Sequence, residues 1–75
     1  MRLVEARAQK LLTAAGLAKI AGVSRATIYG IEEGRTVPSF ATVRKLCAAL
    51  EVEPTEIEEF QAAIDRISKK EPARV

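Results

Sequence analysis

The sequence predicts an all-α protein built as one small domain, and three observations lead to this class. Nearly half of the 75 residues are hydrophobic but only 4% are aromatic, so Leu, Ile, Val and Ala must form the core. These residue types suit packed helices, and they recur here at helical spacing. A chain of this length is near the lower size limit at which one apolar core stabilises a fold without disulfides or metal ions. We therefore expect one domain over residues 1–70 and a frayed tail over residues 71–75.

Two short helices are predicted first. The first covers residues 3–12, a stretch that contains no helix breaker. The hydroxyl of Thr13 is placed to cap the second helix, and Gly22 is placed to end it because glycine adopts positive φ without steric cost. The apolar stripe of the second helix consists of Leu17, Ala18 and Ala21.

A very short turn leads into the third predicted helix. Val23 is the apolar residue of the turn, and the hydroxyl of Ser24 caps a helix over residues 25–32 that Gly34 ends. Ile28 and Ile31 fall on its buried face. The side chains left exposed near its start are Arg25, Ala26, Thr27 and Tyr29.

The last two predicted helices follow a loop that ends at Pro38. Ser39 is a good N-cap for the fourth helix, residues 40–50. Pro54 suits the first turn of the fifth helix, where the nearby glutamates complement the positive end of the helix dipole. The core stripes are Val43, Leu46, Cys47 and Leu50 on the fourth helix and Ile57, Phe60, Ile64 and Ile67 on the fifth.

The charge of the chain is unevenly distributed. The net charge is +2, but residues 1–46 hold eight Lys and Arg against three Glu, whereas residues 47–75 hold four Lys and Arg against seven Asp and Glu. A basic region favours a polyanionic partner and an acidic region disfavours one. Small domains also show such asymmetry by chance, so the charge pattern is only a supporting indication.

Several functional classes are disfavoured by the composition. The single cysteine and the absence of histidine leave no internal disulfide and no recognisable zinc or haem ligand set, so Cys47 is predicted to be a small buried hydrophobe. No glycine-rich phosphate loop and no nucleophile beside a base is present, which argues against an enzyme. No stretch resembles a signal peptide or a membrane helix. We expect a cytoplasmic protein without metal, cofactor, membrane or small-molecule ligand.

The second and third predicted helices together form a helix-turn-helix pattern. Two short helices are joined by the tight turn Gly22–Val23–Ser24, and polar side chains open the second of them. In DNA-binding proteins with this motif, the second helix enters the major groove and presents its first residues to base edges. Hairpins of two helices also occur in proteins that never meet DNA, so the motif alone is a weak indication.

A longer stretch strengthens this interpretation. Residues 12–52 read LTAAGLAKIAGVSRATIYGIEEGRTVPSFATVRKLCAALEV. This stretch closely resembles the Cro and C1-repressor type of helix-turn-helix domain, also called the XRE family. The resemblance implies a five-helix, lambda-repressor-like DNA-binding fold in which helices 2 and 3 form the helix-turn-helix. Its most telling elements, all in register, include Leu17–Ala18, Gly22–Val23–Ser24, Ile28, Ile31–Glu32, Gly34 and Pro38–Ser39.

The resemblance also implies which residues contact DNA. The positions that match the base-contacting residues of the family are Arg25, Ala26, Thr27 and Tyr29. An arginine can donate two hydrogen bonds to guanine, and Ala26 or the Thr27 methyl can lie against a thymine methyl. The positions implied to contact phosphate, including one loop arginine, are Thr13, Ser24, Arg35, Thr36 and Ser39.

A structural ion pair is implied as well. Arg7 matches a family arginine on helix 1 that pairs with the glutamate at the position of Glu32. If this pair is buried, it fixes the recognition helix against the rest of the fold. The alternative is two solvated surface charges that contribute little.

Four positions depart from the family pattern. Ala14 replaces a glutamine that clamps phosphate, and Gly16 replaces a better helix former. Gly30 removes a side chain that some relatives use to contact DNA, and Glu33 places a negative charge near the DNA backbone. These departures predict a modest DNA affinity.

The fifth helix is the candidate dimer interface. Phe60, Ile64 and Ile67 extend beyond the point at which the five-helix core is expected to be complete. Two recognition helices about 34 Å apart would read a palindrome. The alternative is that this stripe packs back on helix 1.

The sequence therefore predicts a regulator of transcription, a repressor that binds a palindromic operator in double-stranded DNA as a homodimer. The alternative to a repressor is an adaptor or antitoxin-like module that has the same fold, binds a protein partner and has weak or no affinity for DNA. A helix-hairpin-helix is disfavoured because Ser24 stands where its second glycine belongs. A phage, plasmid, restriction-modification or antitoxin setting is left open, and repression is favoured although the sign of regulation depends on where the operator lies relative to the promoter.

Overall fold

Five α-helices and two 3-10 turns make up the regular structure of residues 1–70, the part of the chain that the computed structural model describes. The helices are α1 (Leu3–Gln9), α2 (Ala14–Ala21), α3 (Arg25–Glu32), α4 (Phe40–Leu50) and α5 (Gln61–Lys70). All regular elements of residues 1–70 are helical, which confirms the all-α prediction. The tail expected over residues 71–75 lies outside the described residues.

Hydroxyl side chains begin the three middle helices, as the sequence predicts. Thr13, Ser24 and Ser39 are the N-cap residues of α2, α3 and α4, and all three have extended backbone conformations. Each hydroxyl oxygen accepts a hydrogen bond from the amide three residues later, at 3.0, 3.1 and 3.2 Å respectively. Each cap therefore satisfies one of the amides that lack a partner within the helix.

The first four helices end in the same way. In each case a residue with positive φ follows the helix, and these residues are Leu11 (58°), Gly22 (77°), Gly34 (76°) and Glu51 (59°). The next amide donates to the carbonyl five residues back, at 2.9 to 3.1 Å. This is the Schellman arrangement, which satisfies carbonyls at the helix end. The ends at Gly22 and Gly34 confirm the predictions made for α2 and α3.

The end of α1 differs from its predicted position. The helix stops at Gln9 and not at residue 12, because Leu11 adopts positive φ and the Leu12 amide turns back to the Arg7 carbonyl at 2.9 Å. Leucine is a poor residue for this conformation, since its Cβ meets the following carbonyl oxygen. The side chain of Leu11 is 93% exposed, so no packing compensates for that cost.

We expect Leu11→Gly to stabilise the protein by about 1 kcal/mol, because glycine removes the Cβ that opposes positive φ. Urea unfolding measures the change. Leu11→Ala is the matched control, since it removes the exposed apolar atoms but keeps the Cβ. An equal gain from Leu11→Ala would attribute the effect to the loss of exposed apolar surface.

The segment before α5 corrects a second prediction. Pro54 opens a 3-10 turn (Pro54–Glu56), a second 3-10 turn follows (Glu58–Phe60), and α5 begins only at Gln61. The backbone of Ile57 is extended, which breaks the helix predicted from Pro54 onward. The Glu56 carboxylate accepts from the Glu53 amide at 2.8 Å, and the Glu59 carboxylate accepts from the Leu3 amide at 2.8 Å. These two carboxylates therefore bond backbone amides outside α5 and do not form part of its first turn.

The core lies where these helices and turns meet. The large side chains that are completely or almost completely buried are Phe60, Leu3, Leu17, Ile28, Ile31, Leu46, Leu50 and Ile57. Cys47 is also buried, as predicted, and burial raises the pKa of its thiol. The raised pKa keeps the thiol neutral at pH 7, consistent with a packing role. None of the helices formed by residues 1–70 has the length and apolar character needed to span a bilayer.

Candidate nucleic-acid interface

The turn between α2 and α3 is three residues long and places the two helices firmly against each other. Gly22 has the left-handed conformation that ends α2, and Ser24 caps α3. Val23 between them is partly buried and packs against the core. The turn is therefore anchored by one apolar side chain, and α3 starts in a fixed orientation relative to α2.

Helix α3 has one buried face and one exposed face. Ile28 and Ile31 are buried and hold the helix to the core. Arg25, Ala26 and Tyr29 are exposed. Arg25 and Tyr29 are four residues apart, which places them on the same side of the helix. The exposed face therefore begins in the first turn of α3.

Arg25 has no ion-pair partner in the part of the chain that the structure describes, since no carboxylate of these residues lies within 4.0 Å of its guanidinium. Its donors are thus available to an external acceptor. Tyr29, one turn later, presents an aromatic ring and a hydroxyl that are 44% exposed. The guanidinium of Arg25 offers a partner several hydrogen-bond donors in one plane, and Tyr29 offers a flat ring with a polar end.

Thr27 is less available than the other three predicted base-contacting residues. Its side chain is half-buried, and its hydroxyl lies 2.8 Å from the Ser24 hydroxyl. The Ser24 hydroxyl oxygen in turn accepts from the Thr27 amide. Both side chains are therefore engaged at the start of α3, although each hydroxyl keeps capacity for a further hydrogen bond.

Three of the predicted phosphate-contacting residues lie at helix N-termini. Thr13, Ser24 and Ser39 cap α2, α3 and α4 and are exposed. The amides of a helix N-terminus and the positive end of the helix dipole favour an anion. These three helix starts thus provide donors of the kind that bind phosphate in other proteins.

Thr36 has a role that the sequence did not indicate. Its amide donates to the Gly30 carbonyl at 3.2 Å, and its hydroxyl lies only 2.8 Å from the position that a Cβ on residue 30 would occupy. A larger residue at position 30 would therefore require the Thr36 side chain to move. Gly30 is buried, so its lack of a side chain serves the packing of this loop.

Arg35 and Glu33 form an ion pair that the sequence analysis missed. The Arg35 Nε donates to Glu33 Oε1 at 2.8 Å, and both side chains are more than half exposed. The two residues are separated by Gly34 at the end of α3, where the chain leaves helical geometry. Helical pairing rules apply to residues three or four apart, so the spacing of these two residues did not signal the pair.

The side chains of Arg7 and Glu32 are in contact, as the resemblance to the family implies. Arg7 Nε donates to Glu32 Oε2 at 2.6 Å and Arg7 Nη2 donates to Glu32 Oε1 at 3.1 Å, while Arg7 Nη1 donates to the Leu12 carbonyl at 3.3 Å. The two side chains are only 18% and 11% exposed. The hydrogen bond to Glu32 raises the pKa of Arg7 above its ordinary value, so the guanidinium stays charged. This contact joins α1, the loop before α2 and the end of α3.

Two departures from the family pattern lie on α2. Ala14 is buried in the core, so the first turn of α2 presents no long polar side chain at this position. A Cβ on Gly16 would lie 3.3 Å from the Thr13 hydroxyl oxygen and 3.5 Å from Leu12 Cδ2. The space at Gly16 is therefore limited by the same hydroxyl that caps the helix.

The candidate dimer surface requires a correction. Phe60 is completely buried in the core, so it has no surface to offer a partner, and its assignment to an interface is wrong. Ile64 is half-buried and Ile67 is 46% exposed. These two residues line an apolar groove between α4 and α5 together with Phe40, which is 39% exposed. Phe40 was not predicted to belong to this surface, because the sequence pattern identified it only as the first residue of α4.

Comparison with known proteins identifies the family. A family model described as helix-turn-helix (HTH_3) matches residues 3–57, which include α1 to α4 and the first 3-10 turn. No curated protein and no solved structure shows significant similarity to the chain. The match covers the candidate interface and most of the chain. The chain therefore belongs to the Cro/C1-type helix-turn-helix family of DNA-binding regulatory domains.

Proposed function

We propose that this DNA-binding domain acts as a transcriptional repressor and binds a palindromic operator as a homodimer. The observation that supports this proposal best is the division of α3 into two faces. Ile28 and Ile31 fix the helix to the core, while Arg25, Ala26 and Tyr29 are exposed from its first turn onward. A major groove admits such a helix, with its N-terminal residues directed at the base edges.

Arg25 and Ala26 would determine the preferred sequence. A guanidinium without an internal partner can donate two hydrogen bonds to guanine O6 and N7, and the methyl of Ala26 can contact a thymine methyl. We expect a half-site in which a guanine is next to or near a thymine. Thr27 and Tyr29 would contact neighbouring bases or the adjacent phosphates.

Phosphate contacts would orient α3 in the groove. Thr13, Ser24 and Ser39 are exposed at three helix N-termini, and Arg35 and Thr36 belong to the loop after α3. Contacts of this type position a protein on the duplex without selecting a sequence. The absence of a long polar side chain at Ala14 predicts that this set is weaker than in a relative with glutamine there.

Dimerisation would use the groove between α4 and α5. Phe40, Ile64 and Ile67 give this groove an apolar lining, and one copy of α3 presents too few side chains to specify a site alone. Two copies related by a twofold axis would place two α3 helices about 34 Å apart in successive major grooves. The groove and the exposed face of α3 would then act together.

We expect Ile67→Lys to convert a dimer into a monomer, because it places a charge in an apolar interface where the charged lining residue, Arg44, has the same sign. Light scattering at micromolar concentration measures the change, and binding to the operator should weaken with it. Ile20→Lys is the matched control, since Ile20 is also an exposed isoleucine but does not line the groove. A wild-type protein that is monomeric on its operator would contradict this interface.

Selection from a random pool of double-stranded DNA tests the proposed function as a whole. The expected result is a palindrome whose half-sites are one helical turn apart, about 10 base pairs centre to centre. Recovery of a single half-site would contradict the homodimer. Failure to recover any sequence would contradict specific DNA recognition.

A second candidate function is a protein-binding module with weak or no DNA affinity. The observation that favours it is the pairing of Glu33 with Arg35, which neutralises the one basic side chain among the predicted phosphate contacts. Titration of mixed genomic fragments at low and high salt separates the two functions. Binding that is undetectable even at low salt supports the module, since non-specific affinity for DNA is mainly electrostatic.

A further inference from the structure

The ion pair between Glu33 and Arg35 lies on a loop whose backbone is hydrogen-bonded to the end of α3. Gly34 adopts φ of 76°, its amide donates to the Ile31 carbonyl at 3.1 Å, and the Arg35 amide donates to the Gly30 carbonyl at 2.9 Å. The backbone of the loop therefore has hydrogen-bond partners on both sides of Gly34. This arrangement places the two side chains next to each other, with Arg35 Nε 2.8 Å from Glu33 Oε1.

The pair lies at the end of the exposed face of α3. Glu33 follows Tyr29 by four residues and Arg25 by eight, so all three lie on one side of the helix axis. Arg25 has no carboxylate partner within residues 1–68. The exposed face of α3 thus begins with an arginine whose donors are available and ends at a glutamate that neutralises the charge of Arg35 in the following loop.

We propose that Glu33 lowers the DNA affinity of this domain by competing with phosphate for Arg35. This inference rests on the proposed function, because it concerns the same surface. Glu33 engages only the Nε–H of Arg35, so the Nη donors can still reach a phosphate. The carboxylate nevertheless offsets the positive charge that attracts the phosphate, and it faces the negative charge of the DNA backbone when Arg35 binds there. The net charge that the pair brings to DNA is zero, so it releases few counterions.

The ion pair between Glu33 and Arg35 is weak enough for DNA phosphate to displace Glu33. Both side chains are exposed, at 63% for Arg35 and 59% for Glu33, and an exposed ion pair contributes little to stability because water and salt screen it. Glu33 therefore reduces the affinity without abolishing binding. Its substitution should affect binding and leave folding unchanged.

The test is Glu33→Gln, which keeps the shape of the side chain and one acceptor oxygen, replaces the other oxygen by an amide donor and removes the charge. At about 50 mM salt we expect this variant to bind the operator and unrelated duplexes about three to ten times more tightly than wild type. The slope of log affinity against log salt should become steeper by about one unit. The gain should shrink at about 200 mM salt.

A double variant shows whether the gain depends on Arg35. In an Arg35→Ala background, Glu33→Gln can relieve repulsion of DNA but cannot release a cation. We expect the gain in that background to be less than half of the gain in wild type on a logarithmic scale. An equal gain in both backgrounds would overturn the competition for Arg35.

Glu51→Gln is the matched control. Glu51 is also exposed and pairs with a basic side chain, Lys10, at 3.0 Å. It follows the last residue of α4, at the opposite end of that helix from Ser39. This substitution changes the net charge by the same amount, and we expect it to change DNA affinity less than twofold. An equal gain from Glu51→Gln would show an effect of net charge alone and overturn the proposal.

The remaining outcomes are distinct. A change in preference at a single base pair would show that Glu33 contacts a base, which overturns the proposal. Wild-type binding without any gain in Glu33→Gln would overturn it while leaving the proposed function intact. No binding of any duplex by wild type or variant at about 50 mM salt would overturn the proposed function and this inference with it. Circular dichroism with thermal unfolding confirms that each variant is folded.

Discussion

Replacement of Arg7 by methionine is expected to destabilise the fold by up to about 3 kcal/mol, because it leaves the partly buried Glu32 carboxylate without its partner. The Glu32 side chain is 11% exposed and both of its oxygens accept hydrogen bonds from Arg7, at 2.6 and 3.1 Å. Methionine retains much of the length and apolar volume of arginine, so the loss reports mainly the charge and its hydrogen bonds. Urea unfolding at pH 7 measures this loss.

The double variant Arg7→Met/Glu32→Leu shows how much of the loss comes from leaving the Glu32 carboxylate without a partner. Replacement of both partners by apolar residues leaves no buried charge without a partner, so we expect a smaller loss than for Arg7→Met alone. Lys10→Met is the control for the loss of an exposed ion pair. Lys10 directly follows α1 and pairs with Glu51 on the surface. That pair should contribute less than about 1 kcal/mol. Equal losses for Arg7→Met and Lys10→Met would show that burial of the first pair has little effect.

The Arg7 substitution also tests how α3 is positioned. Glu32 is the last residue of α3, so the ion pair connects the end of the recognition helix to α1. Loss of this connection should increase amide hydrogen exchange in the last turn of α3 more than in α4. A uniform increase in exchange across the fold would instead indicate a general loss of stability.

The helix starts were predictable from sequence because they depend on local chemistry. Thr13, Ser24 and Ser39 each precede a helix, and each side chain accepts from an amide three residues later. An interaction that spans three residues can be inferred from the residue type alone. The same holds for Gly22 and Gly34, whose positive φ follows from the absence of a Cβ.

The predictions that failed concern features set by contacts between distant segments. Leu11 has positive φ although leucine does not favour this conformation, and α1 therefore ends three residues earlier than predicted. The Glu59 carboxylate bonds the Leu3 amide across 56 residues, and no periodicity in the sequence predicts such a contact. Phe60 follows a helical pattern with Ile64 and Ile67, but it precedes α5 and fills the core.

The candidate site was predictable only in part. The exposed positions of α3 follow from the burial of Ile28 and Ile31, which helical periodicity predicts. The partners of the charged residues do not follow from periodicity, and Glu33 and Arg35 are the clearest case. A sequence pattern identifies which side chains reach the surface, whereas their electrostatic environment depends on where the loop after α3 turns.

Arg25→Ala is expected to reduce discrimination at one base pair of the operator by about 1–3 kcal/mol, which is about five- to 150-fold in relative affinity. The reason is that Arg25 lies at the first position of α3, is exposed and has no carboxylate partner among residues 1–68. Its guanidinium can therefore donate two hydrogen bonds to a guanine, and alanine cannot replace them. Affinity for DNA that lacks the guanine should fall much less.

Two further variants determine whether Arg25 contacts a base or a phosphate. Arg25→Lys keeps the charge but loses the planar fork, so it should retain most of the non-specific affinity and lose most of the preference for guanine. Arg35→Ala should weaken binding to all sequences alike and make the salt slope shallower, by less than one unit because Glu33 already offsets the charge of Arg35 in wild type. If Arg25→Ala instead behaves as Arg35→Ala is expected to, with a uniform loss and a smaller slope, Arg25 is a phosphate contact. Sequence recognition would then depend on Ala26, Thr27 and Tyr29, and the half-site would lose its expected guanine.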